Sequence, residues 1–325
     1  MTDNNALNNQ FAEDLRRGLN QKPKRLYSKY FYDEIGDKLF QDIMNMEEYY
    51  LTKSEFEIIS TQKKEILNEI YQDVEPFQLI EFGAGDGLKT KVLLKYFEQL
   101  NVDFEYVPID ISEHVLSQLI ADLTKELPNL KVNHQVDTYI GALEKLSKDR
   151  RKVILFMGSN VGNFSYNEAI VFLTKISEKL NKGDRLIMGV DLKKHPEKVL
   201  AAYNDKNGIT RAFNLNLLNR INKEFNSNFD LTKFDHYPTY DPISGETKSY
   251  LISQTAQTVF IKDLNMMVEL ETGEPIFMEI SKKYSLKDLE QLAKETGFKI
   301  NKNLLDCKHY FVDTIWEKNY EGNLE

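Results

Sequence analysis

This sequence of 325 residues has little cysteine, no long apolar run and no cluster of histidines. Cys307 is the only cysteine, which excludes an internal disulfide framework and a cysteine-rich zinc site. The five histidines stand singly, without metal-ligand spacing, so no metal site is expected. No segment reaches the roughly 20 apolar residues of a membrane span, and the N-terminal stretch has no apolar signal region. These absences predict a cytoplasmic protein with no membrane partner.

Clustered positive charge is also missing. The formal net charge is -9, and lysines are interspersed with acidic residues along the chain. A nucleic-acid surface needs a basic patch or stripe that follows the phosphate backbone. We therefore expect no nucleic-acid partner, and the sequence leaves the oligomeric state undetermined.

Short apolar runs alternate with helical patterns from residue 77 to residue 192. The predicted strands are QLIEFG (78–83), FEYVPID (104–110), LKVNHQV (130–136), KVILFMG (152–158) and DRLIMGVDL (184–192). Helical patterns extend through Tyr96, begin at Ser112 and cover the region from Ala169 to Leu180. Apolar strands joined by helices are typical of a parallel sheet covered on both faces, so we predict an α/β core.

The regular alternation of strands and helices ends at His195. Between His195 and Tyr284, a helical stretch (209–225) is mixed with strand-like stretches (248–261 and 275–284). We interpret this segment as an inserted second module. The tail then shows an amphipathic helix capped by Gly297 and a strand in HYFVDTIWEK, which would return the chain to the sheet.

The stretch LIEFGAGDGLKTKVLL combines the end of a predicted strand, alternate glycines and the start of a helix. Gly83, Gly85 and Gly87 allow a ligand to approach the main chain and the unpaired N–H groups of the turn. Asp110 ends the next strand, where a carboxylate can bind both hydroxyls of a ribose. The two signals together indicate an adenosine ligand.

The choice between NAD and S-adenosylmethionine (SAM) depends on two neighbouring residues. Leu88 occupies the third-glycine position of the dinucleotide fingerprint, which weakens the NAD interpretation. Glu81, inside the first strand, adds negative charge that favours a sulfonium cation over a pyrophosphate. We therefore prefer SAM. Two alternatives stay open: an NAD-dependent oxidoreductase, and a purely structural turn in which Asp110 caps the following helix.

Five stretches together resemble the SAM-dependent histidine Nα-methyltransferases of ergothioneine biosynthesis. They are KYFYDEIGDKLFQDIMNMEEYYLTKSE, LIEFGAGDGLKT, FMGSNVGNF, LKKHPEKVLAAYNDKNGITRAFNLNLLNRIN and FMEISKKY. The resemblance implies a Rossmann-like methyltransferase domain with a mostly parallel sheet (58–194 and 285–325). It also implies a second, α+β substrate-binding domain assembled from 1–57 and 195–284.

The resemblance also implies a cofactor site for SAM at Gly83, Lys89, Asp110, Asp137 and Thr138. Asp137 would accept a hydrogen bond from the exocyclic amine of adenine. Thr138 departs from the family pattern, because similar proteins usually have an aromatic residue there.

For the substrate, the resemblance implies a histidine site. Its residues would be Tyr49, Gly158, Asn163, Tyr203, Glu279 and Ser281. Tyr49 and Asn163 would orient the α-amine, and Asn163 and Tyr203 would bind the carboxylate. Glu279 and Ser281 are two residues apart on one predicted strand and would bind the two imidazole nitrogens.

The resemblance thus predicts methyl transfer to the α-amine of free histidine, ending in trimethylhistidine (hercynine). Ser249 stands where related proteins often carry Met, and this departure would reshape the side-chain pocket. Two further alternatives therefore stay open: methylation of another amino acid, and an adenosyl-ligand binding module without turnover. Structural readings also stay open for Tyr49 as a packing residue, Glu279 as a solvated strand residue and Asn163 as a turn residue.

Overall fold

The computed structural model describes residues 2–71, 75–145 and 149–319. The chain divides into two compact units. The first comprises Met1–Tyr50 and Lys194–Ser281, and the second comprises Leu51–Lys193 and Lys282–Glu325. Within the described ranges, no helix has the length and apolar character needed to cross a membrane.

Ten α-helices and thirteen strands are assigned within the described residues. The helices are α1 (Thr2–Asn20), α2 (Glu34–Asn45), α3 (Tyr50–Ile70), α4 (Thr90–Gln99), α5 (Glu113–Glu126), α6 (Tyr139–Lys145), α7 (Tyr166–Lys179), α8 (Pro196–Tyr203), α9 (Ile209–Phe225) and α10 (Leu286–Glu295). The strands are β1 (Lys24–Arg25), β2 (Phe77–Phe82), β3 (Phe104–Asp110), β4 (Gln135–Val136), β5 (Arg151–Phe156), β6 (Arg185–Asp191), β7 (Phe234–Asp241), β8 (Glu246–Ser253), β9 (Gln257–Ile261), β10 (Met266–Leu270), β11 (Pro275–Lys282), β12 (Phe298–Leu305) and β13 (Phe311–Lys318).

The second unit is built on a seven-stranded sheet with the order β12-β13-β6-β5-β2-β3-β4. The pairs from β6 to β4 are parallel, and β13 runs antiparallel to both of its neighbours. The predicted α/β fold with a mostly parallel, Rossmann-like sheet is therefore confirmed. Strand order reverses between β2 and β5, and open α/β sheets bind ligands outside the carboxyl ends of the strands at such a point.

The sequence explains these strands and the helices between them. Residues of β2, β3, β5 and β6 are almost continuously buried, as expected for strands covered on both faces. Ser112 caps α5 through its side chain, and Ser165 with Glu168 forms a capping box at the start of α7. These caps place the helices directly after the turns that follow the strands.

The first unit contains a four-stranded sheet with the order β1-β11-β8-β7 and a two-stranded sheet of β9 and β10. Its core joins the aromatic N-terminal segment to α9. Phe31 and Phe213, for example, are buried with ring centroids 4.8 Å apart. The rings of Phe31 and Phe213 are thus core residues of this unit.

Five strands differ from the sequence predictions. The stretch LKVNHQV contributes only the short edge strand β4, and its preceding residues are largely exposed. Strands β1, β7, β10 and β12 were not predicted from the sequence. The edge strand β7 contains Pro238, which a central strand would exclude, and β12 is rich in lysine and asparagine. Strands β7 and β12 therefore lack the apolar runs that identify buried strands.

Candidate active site

The carboxyl ends of β2 and β5 lie at the strand-order reversal, and each is followed by a glycine turn. After β2, Gly83, Gly85 and Gly87 all have positive φ angles, of 71°, 54° and 66°. At Gly87 an added Cβ would lie 2.5 Å from Leu119, so this glycine serves helix packing. At Gly85 an added Cβ would meet nothing within 4 Å. The turn therefore has one closely packed side and one side open to a ligand.

Asp110, at the end of β3, is oriented by this turn. Its Oδ2 accepts a hydrogen bond from the Gly85 N–H at 3.2 Å, and its Oδ1 accepts one from the Ser112 N–H at 3.0 Å. The side chain is half-exposed. One carboxylate thus supports the glycine turn and the start of α5 while remaining accessible, which suits a group that binds ribose hydroxyls.

Asp137 and Thr138 lie between β4 and α6. The Asp137 carboxylate accepts a hydrogen bond from the Thr138 N–H at 2.7 Å and pairs with Lys145, also at 2.7 Å. The Lys145 ammonium holds the pKa of Asp137 below its ordinary value, with the Thr138 N–H contributing. Asp137 is therefore ionised near neutral pH and half-exposed.

Tyr139 occupies a place that the sequence analysis did not identify. An added Cβ at Gly83 would lie 2.8 Å from the Tyr139 hydroxyl, and the ring packs against Phe82 and Phe156 at 5.5 and 5.4 Å between centroids. Burial raises the pKa of this phenol, and the charge of Asp110 raises it further. Tyr139 therefore fills the space beside the first glycine as part of the core.

Glu81 does not lie where the sequence interpretation placed it. Its side chain is buried, and it accepts hydrogen bonds from the Thr90 hydroxyl at 2.5 Å and from the Tyr106 hydroxyl. It therefore ties β2 to β3 and to the start of α4, and it does not add negative charge to an open rim. Burial raises the pKa of the Glu81 carboxyl to about 7, although the two hydroxyls and the Lys89 charge lower it.

Stability should consequently depend on this carboxyl between about pH 5 and pH 7. The folded state keeps the proton up to about pH 7, whereas the unfolded state loses it near the ordinary value, so stability falls as pH rises through this window. The contribution is on the order of 1–3 kcal/mol. Glu81→Gln should lack this decline when urea unfolding is measured across the window. Parallel stability curves for the two proteins would contradict the assignment.

Lys89 and Gly158 share one partner, Glu55 of α3. Lys89 immediately precedes α4, and its ammonium pairs with the Glu55 carboxylate. The Gly158 N–H donates to both Glu55 oxygens, at 2.8 and 3.1 Å. Asn163 ends a short 3-10 helix, Asn160–Asn163, and its side chain is exposed. Glu55 is the last residue of the first stretch that resembles the family, and no role was predicted for it.

In the first unit, two predicted substrate residues are in direct contact. The Tyr203 hydroxyl, at the end of α8, donates to the Ser281 Oγ on β11 at 2.8 Å, and both residues are buried. Glu279, two residues before Ser281 on the same strand, is half-exposed. The strand thus presents the buried Ser281 hydroxyl, paired with Tyr203 of α8, and the more accessible Glu279 carboxylate.

Tyr49 is half-buried against the core of the first unit. Its neighbour Tyr50 is buried, and the Tyr50 hydroxyl accepts a hydrogen bond from the Lys194 ammonium at 2.8 Å. The Lys194 ammonium also lies 4.4 Å from the centre of the Tyr50 ring. Tyr50 therefore anchors the chain next to Tyr49.

Ser249 is buried in β8, opposite Pro238 of β7. The alternation of the strand turns Tyr250 to the other face, where its ring packs against Phe277 at 5.6 Å between centroids. A role for Ser249 in substrate choice stays a prediction.

Comparison with known proteins identifies the family. Residues 11–318 match the model of the SAM-dependent, histidine-specific methyltransferases. The chain is 31% identical over 286 residues to histidine N-alpha-methyltransferase of Mycolicibacterium smegmatis, and the match covers 88% of each protein. The chain belongs to the histidine-specific, SAM-dependent methyltransferase family. The resemblance inferred from its motifs is confirmed.

Two further proteins are similar to this chain. This methyltransferase is 32% identical over 284 residues to ergothioneine biosynthesis protein 1 of Schizosaccharomyces pombe, covering 85% of this chain and 36% of that protein. A solved structure of magnesium protoporphyrin IX methyltransferase from Synechocystis PCC 6803, with bound SAM, matches with a TM-score of 0.46 and 10% identity. That match covers 89% of this chain and 92% of the other.

The eleven predicted site residues of the methyltransferase are divided between its two units. The second unit holds Gly83, Lys89, Asp110, Asp137, Thr138, Gly158 and Asn163, and the first holds Tyr49, Tyr203, Glu279 and Ser281. Those of the second unit lie at or after the carboxyl ends of its parallel strands. Their individual roles in binding stay predictions.

Proposed function

We propose that the chain transfers methyl groups from SAM to the α-amine of free L-histidine, up to the trimethylated product hercynine. Family membership supports the substrate class, and the Tyr203–Ser281 hydrogen bond beside Glu279 is the observation that carries the assignment to histidine. The residues also fit SAM, because the glycine turn has an open side at Gly85 next to an accessible carboxylate at Asp110. A cytoplasmic location is part of the proposal, supported by the single cysteine.

The cofactor contacts follow from the turn at the end of β2. Gly83 and Gly85 would allow the amino-acid part of SAM to lie against the main chain, with Lys89 near its carboxylate. Asp110 would accept hydrogen bonds from both ribose hydroxyls. These contacts require the positive φ angles of the glycines.

Adenine would lie beside Asp137, whose carboxylate would accept from the exocyclic amine. Thr138 cannot stack on the base, and Tyr139 is committed to the core. Ile111 and Val136, which adjoin Asp110 and Asp137 in sequence, are 45% and 47% exposed. We assign the apolar contacts of the base to these two side chains, because exposed aliphatic groups flanking polar contacts are typical of ligand sites.

Histidine would be recognised through Glu279 and Ser281. The Glu279 carboxylate would accept from one imidazole N–H, and the Ser281 hydroxyl would bind the other ring nitrogen. A substrate lacking a ring N–H would leave the carboxylate desolvated and unpaired, so it would be rejected. Gly158, Asn163, Tyr49 and Tyr203 stay assigned to the amino-acid part of the substrate, as the family resemblance implies.

SAM, when bound, supplies a methyl group activated by its sulfonium. The protein must align the substrate nitrogen with the methyl carbon and the sulfur, and it must bind the α-amine in its neutral form. A free α-amine is largely protonated near neutral pH, so one proton leaves to water or a nearby oxygen before each transfer. Tyr49 and Asn163 would orient the lone pair of the nitrogen.

Tyr203→Phe should raise the KM for histidine by about tenfold and change the KM for SAM by less than about twofold. The substitution removes the hydroxyl that donates to Ser281 and would bind the substrate carboxylate, while the ring would still fill its place. Steady-state kinetics with each substrate varied in turn measures both constants. Tyr237→Phe, an exposed tyrosine of the same unit, is the matched control. Equal increases in the two KM values would argue against a substrate role for Tyr203.

The proposal is tested by titrating the protein with SAM and with NADH in a calorimeter, and then adding histidine, tryptophan or tyrosine to the SAM complex. SAM binding with successive gains of one, two and three methyl groups on histidine supports the proposal. Binding of NADH alone would favour the oxidoreductase. SAM binding without methylation of any amino acid would favour a binding module.

A further inference from the structure

Glu55 is a fully buried carboxylate in contact with two of the proposed site residues. Its side chain is 0% exposed, and it accepts from the Lys89 ammonium and from the Gly158 N–H. These two partners lie on different elements, since Lys89 precedes α4 and Gly158 follows β5. A single buried carboxylate therefore joins the turns after β2 and β5, at the strand-order reversal.

A glycine on β6 leaves the space that the Glu55 carboxylate occupies. An added Cβ at Gly189 would lie 1.8 Å from its Oε1, so only glycine permits the carboxylate to approach β6. Gly189 pairs with Asp313 of β13, whose two carboxylate oxygens are buried and have no hydrogen-bond partner among the described residues. Burial raises the pKa of Asp313 well above its ordinary value, and the charge of Glu55 raises it further. The Lys89 ammonium is the countercharge that pairs with Glu55.

Stability alone explains this arrangement poorly. Removing two charges from water costs about as much as their attraction returns, and apolar replacements of buried ion pairs are often neutral or stabilising. The pair does, however, fix the directions of an ammonium and of a peptide N–H. Gly158 has a φ angle of 74°, so its N–H is aimed by a backbone that few other residues adopt.

We propose that Glu55 is a positioning residue of the methyltransferase, which holds Lys89 and the Gly158 peptide in the arrangement that SAM and the substrate require. This inference rests on the proposed function, because Lys89 and Gly158 are its cofactor and substrate contacts. Glu55 acts through these two groups and does not itself touch a ligand.

Glu55→Gln should raise the KM for SAM by at least about tenfold, because a neutral amide cannot hold the ammonium and accept from the peptide N–H together. Glu57→Gln is the matched control. Glu57 lies on the same helix and binds the Cys307 N–H at 2.8 Å, away from the proposed cofactor residues, so its KM for SAM should change by less than about twofold. An unchanged KM in folded Glu55→Gln would overturn the proposal.

Glu55→Asp covers the case in which the glutamine variant does not fold. It keeps the charge but withdraws the carboxylate by one methylene, and it should raise the KM for SAM several-fold without leaving Lys89 buried and unpaired. In the Lys89→Met background, either change at Glu55 should alter that KM by less than about twofold, because the partner is gone. If the effects of the Glu55 and Lys89 substitutions on the KM for SAM are fully additive, Glu55 has a general structural role and the proposal is overturned. Wild-type protein that fails to bind SAM or to methylate histidine would instead overturn the proposed function.

Discussion

Asp110→Ala is expected to weaken SAM binding by at least about a hundredfold, because two charge-assisted hydrogen bonds to the ribose are lost at about 1.5–3 kcal/mol each. The substitution also removes the acceptor of the Gly85 N–H, so the glycine turn loses the contact that orients it. Both losses weaken the binding of SAM. The measurement is the dissociation constant of SAM by calorimetry.

The matched control for this change is Asp103→Ala. Asp103 lies just before the other end of β3, is largely exposed and pairs only weakly with Lys131 at 3.4 Å. Its removal should leave SAM binding within about twofold of the wild-type value. If Asp110→Ala binds SAM as tightly as this control, the carboxylate is only a cap of α5 and the ribose assignment is wrong.

Glu279→Ala is expected to lower kcat/KM for histidine by about a hundredfold to a thousandfold, because the imidazole N–H loses a charged acceptor in a desolvated site. SAM binding should be unchanged. Selectivity should fall as well, since amino acids without a ring N–H no longer leave a carboxylate unpaired. The ratio of kcat/KM for histidine to that for phenylalanine measures this loss.

Glu269→Ala is the control for that substitution. Glu269 is an exposed glutamate on β10 of the same unit. Its removal should change neither SAM binding nor kcat/KM for histidine. A loss of SAM binding in Glu279→Ala that equals the loss of histidine turnover would identify Glu279 as a structural residue.

The fold of the second unit could be predicted because its strands are buried on both faces. β2, β3, β5 and β6 appear in the sequence as apolar runs, and helix caps such as Ser112 mark where the chain turns back. The edge strands were missed for the opposite reason. β12 has polar residues on much of its length, and β7 contains Pro238, so neither shows the apolar run or the strict alternation that marks a strand.

The candidate site was predictable where backbone conformation requires a residue type. Gly85 and Gly87 need positive φ angles, and Asp110 follows a buried strand at the edge where ligands bind. The acidic residues inside the sheet were not predictable in the same way. The sequence around Glu81 and Glu55 does not show whether either carboxylate faces a ligand or is buried against hydroxyls or an ammonium. Their partners, such as Tyr106 and Lys89, come from distant segments of the chain.

The central claim, methylation of the α-amine of histidine, is tested most directly by competition. The purified protein is incubated with SAM and an equimolar mixture of the twenty amino acids, and fragment masses locate each added methyl group. The account predicts histidine as the main product, with up to three methyl groups, all on the α-nitrogen. Methyl groups on an imidazole nitrogen, or preferential methylation of another amino acid, would contradict it.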